Sequence, residues 1–305
     1  MDLTADILKS YPGWNQEIDK FVQQSGGNSS AVYKVTTPDG STRYVRTLTE
    51  DRANDIRRGT ATNELIGLPE HCILNGDPPV LVMKPAPGRP LSRLLVVMTA
   101  PIVWRSKAQS MMSAFHTVGK QLGRLHAITI QGECPAIETI SFNRYLSSFQ
   151  TIQDEFDEIN SGEFENMESR LRSVTLQTAR IFSDRTPHNI YFNGEDVTQI
   201  DFTLTVDAVI QELLIVERGI DLAVYRLPHG RSNQSDCLIK AFRTGYAAER
   251  PDYERPDETG DLQCVMDWYL LSWYRSNENH KLGAKLTRRA DISRLQSRIR
   301  SALHG

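Results

Sequence analysis

The stretch FSDRTPHNIYFNGEDVTQIDF, residues 182–202, combines a polar loop with a hairpin pattern. Two short apolar segments, NIYF and VTQI, flank the tetrapeptide NGED at 193–196. Asn-Gly between apolar segments is a strong signal for a two-stranded antiparallel hairpin. The pattern therefore predicts a polar loop that leads into a hairpin, whose second strand ends on Asp201.

Asp184, Asn189 and Asp201 are the side chains of this stretch that can carry chemistry. The first two share the loop, and the hairpin folds Asp201 back toward them. Each could be a loop-capping residue, but Asn189 and Asp201 together offer two hard oxygen donors that suit a magnesium ion bound mainly by phosphates and water. Asp184 is then free to orient or deprotonate a hydroxyl group.

This stretch resembles the catalytic segment of the aminoglycoside phosphotransferase-like and choline kinase-like small-molecule kinases, in which H-G-D-x-x-x-x-N precedes a hairpin and an Ile-Asp pair. Other segments resemble further parts of that family and occur in the family's order. They are GGNSS at 26–30 (the phosphate-covering loop), LVMKPAPGRPL at 81–91 (the hinge and connector), LGRLHA at 122–127, DLA at 221–223 and FRTGY at 242–246.

The resemblance implies an ATP-dependent phosphotransferase with an α+β, bilobal, protein-kinase-like fold. Its acceptor would be a hydroxyl group of an amino sugar, a sugar, an amino alcohol or a lipid-linked molecule. Asp184 would be the catalytic base, and Asn189 and Asp201 would bind Mg²⁺. ATP would contact residues of the first lobe: Ser25, Gly26, Gly27, Asn28 and Ser29 in the phosphate-covering loop, Met83, Lys84 and Ala86 in the hinge, and Arg46 and Glu64.

The basic residue of the third strand departs from the family pattern. A lysine is expected there, and the sequence offers Arg46. Arginine can fork onto phosphate oxygens but is not interchangeable with lysine. Either Arg46 supplies the charge, or Lys34 on the adjacent strand does, or nucleotide binding is altered. Glu64 either holds this basic residue or is a solvated helix residue.

The H-G-D motif is also altered, because Phe182 and Ser183 replace its histidine and glycine. Arg185 stands where leucine is usual, and it is a candidate catalytic residue. It either contacts the transferred phosphoryl group or pairs with a carboxylate. These changes leave an alternative function open, a catalytically impaired nucleotide-binding pseudokinase. A protein kinase fits less well, because Phe202-Thr203 follows Asp201 instead of Phe-Gly.

The wider pattern predicts two lobes. Strands are expected at 21–24, 31–36, 42–48, 71–74 and 80–83, with a helix at 50–68 that is weakened by Gly59. A connector rich in proline and glycine follows at 85–90 and predicts a boundary between an N-lobe, 1–84, and a C-lobe, 85–305. Apolar residues at helical spacing predict a helix that ends near His126 and another at the end of the sequence, with arginines on a solvated face.

Composition excludes some classes of protein. The 305 residues carry 35 basic and 38 acidic side chains, a net charge of −3, which argues against a protein that coats nucleic acid. The four cysteines are scattered, and the first residues do not resemble a signal peptide. We therefore expect a cytoplasmic protein with isolated thiols.

Two segments bear on the acceptor and point in different directions. Residues 154–168 are acidic, which indicates a solvated face or a surface that favours a cationic acceptor. The apolar run LLVVMTAPIVW, from Leu94 to Trp104, is too short to span a bilayer. It is either a buried segment or a site of peripheral membrane contact, since Arg93 and Arg105 flank it.

Overall fold

The computed structural model describes residues 3–24, 31–58, 67–98, 100–148, 161–182, 185–200, 204–225, 232–257, 259–276 and 282–304. These residues form an α+β structure, in which one five-stranded sheet precedes a mostly helical part that contains two three-stranded sheets. The α+β class predicted from the sequence is confirmed.

The first sheet is antiparallel throughout and has the strand order β1-β2-β3-β5-β4. Its strands are β1 Lys20–Gln24, β2 Val32–Thr36, β3 Thr42–Thr47, β4 His71–Leu74 and β5 Val80–Met83. The five predicted strands are therefore confirmed. The tripeptide PDG at 38–40 turns β2 into β3, with Gly40 at a φ of 81°.

The two faces of this sheet pack against different helices. Val35 of β2 and Val45 of β3 point to one face of the sheet. They belong to one apolar cluster with Leu8 of helix α1, Ala5–Lys9. On the other face, Leu81 packs with Ala53 of α2, Glu50–Arg58. Of the expected helix at 50–68, α2 is the described helical part, and the last two positions of the expected range are not helical, since Gly67 has a φ of 64° in a turn.

The helical part is built around one buried helix, α7. Its helices are α3 Leu91–Met98, α4 Pro101–Thr129, α5 Ile140–Ser147, α6 Ser161–Ser173, α7 Val209–Tyr225, α8 Ser232–Glu249, α9 Thr259–Ser276 and α10 Leu282–His304. Its strands are β6 Arg89–Pro90, β7 Gly132–Pro135, β8 Thr175–Phe182, β9 Ile190–Phe192, β10 Val197–Gln199 and β11 Leu204–Ala208, in the orders β10-β9-β6 and β11-β8-β7. Side chains on every side of α7 are buried, which is the pattern of a central core helix.

The two predicted helices with apolar periodicity are confirmed as α4 and α10. Phe115 and Leu122 of α4 and Leu295 and Ile299 of α10 are fully buried in one cluster around α7. The helical rhythm of the sequence therefore marks the faces that form the main core.

The apolar run at 94–104 is divided between α3 and α4, which begins at Pro101. Leu95 is fully buried, and Leu94 and Trp104 pack against the same core, whereas Val97 is exposed. Apart from Val97, the side chains of the run whose burial the structure describes are therefore buried or half-buried. None of the helices within the described ranges is both long and apolar enough to cross a membrane.

Helices α4 and α8 approach each other at two glycines. A Cβ atom on Gly245 would lie 2.0 Å from the carbonyl oxygen of His116, and one on Gly119 would lie 2.1 Å from that of Phe242. Neither position has room for a side chain, because the atoms in the way belong to the opposing backbone. The FRTGY segment is therefore accounted for by helix packing.

We predict that Gly245→Ala destabilises the protein by about 1–3 kcal/mol, because the methyl group forces the two backbones apart. Gly260→Ala in α9 is the matched control, since a Cβ atom there meets no atom within 4 Å. Urea unfolding followed by circular dichroism measures both variants. An unchanged midpoint for Gly245→Ala would contradict the close approach.

Candidate active site

The hairpin predicted at the end of the polar loop is confirmed. Strands β9 and β10 pair antiparallel, with Phe192 opposite Val197. The Asn193 side-chain oxygen accepts hydrogen bonds from the backbone N–H groups of Glu195 and Asp196 at 2.8 and 2.7 Å. This turn fixes the register, and the register decides which residues meet at the base of the hairpin.

Asn189 lies at that base and is half-buried. Its backbone N–H donates to the carbonyl oxygen of Thr186 at 2.9 Å, and its own carbonyl oxygen accepts from the N–H of Ile200 at 3.0 Å. Asn189 therefore lies opposite the residue that immediately precedes Asp201. Asp201 itself lies outside the described residues, as does Asp184.

A second strand pair brackets the same two aspartates. Phe182, the last residue of β8, is the register partner of Leu204, the first residue of β11. Residues 183–184 follow one of these strand ends, and residues 201–203 precede the other. The described residues nearest to Asp184 and Asp201 on this side, Phe182 and Leu204, are thus paired across β8 and β11.

The connector after the first sheet is attached to this hairpin. Its strand β6 pairs with β9, so that Arg89 lies opposite Phe192. Gly88 has a φ of 88°, and a Cβ atom there would lie 2.1 Å from the carbonyl oxygen of Phe192. The backbone N–H of Ser92 also donates to the carbonyl oxygen of Pro187 in the polar loop, at 2.9 Å. Hinge, loop and hairpin are therefore connected by backbone contacts.

The first sheet presents both candidate basic residues on one face. Arg46 is two residues from Tyr44 on β3, and Tyr44 is the register partner of Lys34 on β2, so all three side chains leave the same face. Burial raises the pKa of Tyr191 on β9, the Tyr44 hydroxyl adds to this rise, and Arg93 opposes it. Since Tyr44 acts on Tyr191, this face of the sheet lies near the hairpin.

The predicted hinge follows the end of β5. Met83 pairs with Tyr44 in the sheet, and the backbone N–H of Lys84 donates to the carbonyl oxygen of Glu70 at 2.8 Å. The ammonium group of Lys84 pairs with the Glu70 carboxylate at the surface, and Ala86 is half-buried. The other predicted nucleotide contacts, Ser25 to Ser29 and Glu64, lie outside the described residues.

Arg185 is fully buried beneath the polar loop. Its guanidinium group donates to the side-chain oxygen of Gln121 at 3.0 Å and lies 5.2 Å from the centre of the Phe182 ring. Burial lowers the pKa of Arg185 to about 10, although the carboxylate of Glu212 opposes the shift. The Nε and Nη1 atoms of Arg185 are buried without a hydrogen-bond partner among the described residues, and Glu212 acts on Arg185 from beyond ion-pair distance.

Glu212 belongs to a buried polar group that the sequence analysis missed. Its carboxylate lies 3.0 Å from His126 Nε2, and His126 Nδ1 lies 3.1 Å from the Tyr246 hydroxyl. All three side chains are buried. The signal in the sequence is the pair Gln211-Glu212 within the apolar run AVIQELLIV at 208–216, since charges in such runs are rarely buried unless they are paired.

The arginines of the last helix are not simply solvated, and the expectation of a solvated face is wrong for two of them. Arg294 and Arg298 of α10 contact the buried carboxylate of Asp221 at 3.2 and 3.5 Å. Asp221, the first residue of the DLA segment, therefore lies in an ion-pair cluster on α7.

No family model matches the chain, and no curated protein matches it. Several solved structures share its fold. An amicoumacin kinase in complex with AMP-PNP and Ca²⁺ matches with a TM-score of 0.62 and 13% identity, over 94% of this chain and 90% of that one. A choline/ethanolamine kinase family protein from Mesorhizobium loti matches with a TM-score of 0.56 and 14% identity, over 98% and 97%. An aminoglycoside phosphotransferase from Alicyclobacillus acidocaldarius matches with a TM-score of 0.55 and 12% identity, over 100% and 95%.

These matches establish the fold. The chain has the protein-kinase-like fold of the small-molecule kinases, and the resemblance noted in the sequence is confirmed at the level of fold. The likeness spans nearly the whole chain, so it includes both the first sheet and the helical part.

We predict that Arg185→Met destabilises the protein by about 1.5–3 kcal/mol, because it removes the hydrogen bond to Gln121 and the electrostatic interaction with the buried Glu212 carboxylate. The double variant Arg185→Met/Glu212→Gln should recover at least half of that loss. Arg172→Met is the control, since Arg172 forms an exposed pair with Glu168. Urea unfolding of these three variants, of the single variant Glu212→Gln and of the wild type gives the coupling between Arg185 and Glu212. Additive losses would show that Arg185 and Glu212 act independently.

Proposed function

We propose that this chain is an ATP-dependent phosphotransferase that transfers the γ-phosphoryl group of ATP to a hydroxyl group of a small molecule. The observation that carries the proposal is the convergence at the base of the hairpin. There Asn189 lies opposite Ile200, and Phe182 lies opposite Leu204. The described residues that flank Asp184 and Asp201 are therefore paired with one another through the backbone. The sheet face with Arg46 lies near the hairpin.

The two lobes are proposed to meet at the connector, with residues 1–84 in one lobe and 85–305 in the other. The division of the apolar core supports this boundary. The clusters of the first sheet contain buried residues up to Val82, and the large cluster around α7 begins at Leu91. Leu68 packs against both the small and the large cluster and so joins the lobes.

In this proposal Asp184 orients the acceptor hydroxyl and takes its proton as the hydroxyl oxygen bonds to the γ-phosphorus atom of ATP. The bond from that phosphorus to the β,γ-bridging oxygen breaks, and ADP leaves. Arg46 stabilises the negative charge that develops on the phosphoryl oxygens. Arg185, held by Gln121 and the Phe182 ring, fixes the backbone immediately after Asp184. Its contribution is to position the base.

The donor set fits a magnesium ion. The amide oxygen of Asn189 and the carboxylate of Asp201 are hard ligands, and two protein ligands leave positions for phosphate oxygens and water. When bound, the ion would neutralise part of the charge on the phosphate oxygens. Asn189 is half-buried at the base of the hairpin, so its amide belongs to the site without being sealed in the core.

We predict that Asp184→Ala lowers the rate of transfer by a factor of about 100 or more, because the hydroxyl proton loses its acceptor, while ATP still binds. Asp201→Ala should weaken the magnesium-dependent part of ATP binding. Glu195→Ala, on the exposed turn of the same hairpin, is the control and should leave both properties unchanged.

The measurement is ADP release with a panel of amino sugars, sugars and amino alcohols, together with thermal shifts by ATP with and without Mg²⁺. Full turnover in Asp184→Ala would refute the role of the base. Binding of Mg²⁺ and ATP by the wild type without turnover on any acceptor would favour the pseudokinase alternative.

We predict that Arg46→Ala raises the KM for ATP about tenfold or more, the size of one lost charge-assisted hydrogen bond. Arg46→Lys should recover part of the loss. If Lys34 supplies the phosphate contact instead, Lys34→Ala will show the large effect and Arg46→Ala the small one. Steady-state kinetics with varied ATP compare the three variants.

A further inference from the structure

A cavity of about 510 Å³ lies between α7, α8, α9 and α10. Helix α7 separates this cavity from the base of the hairpin, because the two places lie on different sides of the helix. A Cβ atom on Gly219 would lie 2.4 Å from the Pro187 side chain, so this side of α7 faces the polar loop. Glu217 and Asp221 line the cavity, and at about 100° per residue they leave α7 about 160° away from Gly219. The cavity thus lies behind α7.

One wall of the cavity is lined by Glu217 and Arg243, and Glu217 also pairs with Arg255, which lies outside the lining. The carboxylate of Glu217 is buried and contacts Arg243 at 2.7 Å and Arg255 at 2.6 Å. Burial raises the pKa of Glu217, but the hydrogen bonds and charges of the two arginines outweigh it and hold the pKa below its usual value. Glu217 is therefore ionised, and it neutralises only one of its two partners.

The other wall is lined by the buried Asp221 and three arginines, two of which also pair with the buried Asp267 outside the lining. Asp267 is bound by Arg218 at 2.5 and 2.8 Å and by Arg298 at 3.3 Å. Asp221 contacts Arg294 at 3.2 Å, Arg218 at 3.4 Å and Arg298 at 3.5 Å. Each carboxylate is shared, so this wall also carries more positive than negative charge.

Within the described part of the chain, these two ion-pair groups together contain five arginines and three carboxylates, an excess of two positive charges. At the rim, Asp236 and Lys240 add one charge of each sign and leave the excess unchanged. Lys240 is exposed and has neither a hydrogen bond nor an ion pair among the residues that the structure describes. Excess charge in a partly buried cluster is costly unless a counter-ion compensates it.

We propose that this cavity binds a small phosphate-bearing anion at a site distinct from the phosphotransferase centre. A phosphate group carries close to two negative charges at neutral pH, which matches the excess. Arginine presents its donors in a planar fork that fits phosphate oxygens. The cavity is within the size range of small-molecule sites and leaves room for more than the phosphate itself. The proposal does not depend on kinase activity.

The test is isothermal titration calorimetry of the full chain with inorganic phosphate, pyrophosphate and glucose 6-phosphate at constant ionic strength. We expect saturable binding of at least one of them, weakened about tenfold or more by Lys240→Gln, whose exposed side chain can be changed without loss of fold. Lys107→Gln, an exposed lysine of α4 outside the cavity, is the matched control and should bind as the wild type does.

The three probes separate the sources of the phosphate. Tighter binding of glucose 6-phosphate than of phosphate would indicate a phosphorylated metabolite, and the reverse order would indicate the free ion. Absence of saturable binding of all three would overturn the proposal.

A second pair of variants separates this cavity from the nucleotide cleft. Arg46→Ala should leave the binding of the probes unchanged, and Lys240→Gln should leave the binding of ATP unchanged. If the probes are lost with Arg46→Ala and retained with Lys240→Gln, they bind in the cleft and the proposal is wrong. Failure of the phosphotransferase proposal would instead appear as a loss of turnover alone, with the probes still bound.

Discussion

The backbone pairing of the hairpin is the constraint on which the rest of the site depends. The connector pairs with β9 through Arg89 and Pro90, and the polar loop is bonded to Ser92 through Pro187. The hydrogen bond between Asn189 and Ile200 sets the base of the hairpin. Because backbone groups make these contacts, side-chain changes such as Phe182 for histidine can occur without moving the loop. The altered motif is therefore compatible with a preserved geometry.

Buried charge distinguishes this helical part from a simple apolar core. Arg185 replaces an apolar residue of the family pattern and is placed under the loop with Gln121, near Glu212. A buried cation requires a compensating group, and Glu212 and His126 lie in the same layer. The extra cation and the buried carboxylate are thus parts of one arrangement. Gln121 and Glu212 are the polar groups of the core that lie with this cation among the described residues.

The strands, the main helices and the hairpin could be predicted from the sequence because their signals are local. Alternating side chains mark β2 and β3, helical spacing marks α4, and Asn-Gly marks the turn. The missed features join distant residues. Glu212 and His126 are 86 positions apart, and Arg294 and Asp221 are 73 apart. Nothing near Arg294 in the sequence distinguishes it from Arg300, which is exposed. The fold places one arginine of α10 against a carboxylate and leaves the other at the surface.

Helix α7 connects these two kinds of chemistry. Gly219 lets it approach Pro187 of the polar loop, and the opposite side carries Glu217 and Asp221 into the arginine cluster. A helix that is buried on all sides transmits a displacement on one face to the other, because a close-packed interior has little free volume to absorb it. Among the described residues, the cavity and the polar loop therefore border the same helix without sharing a residue.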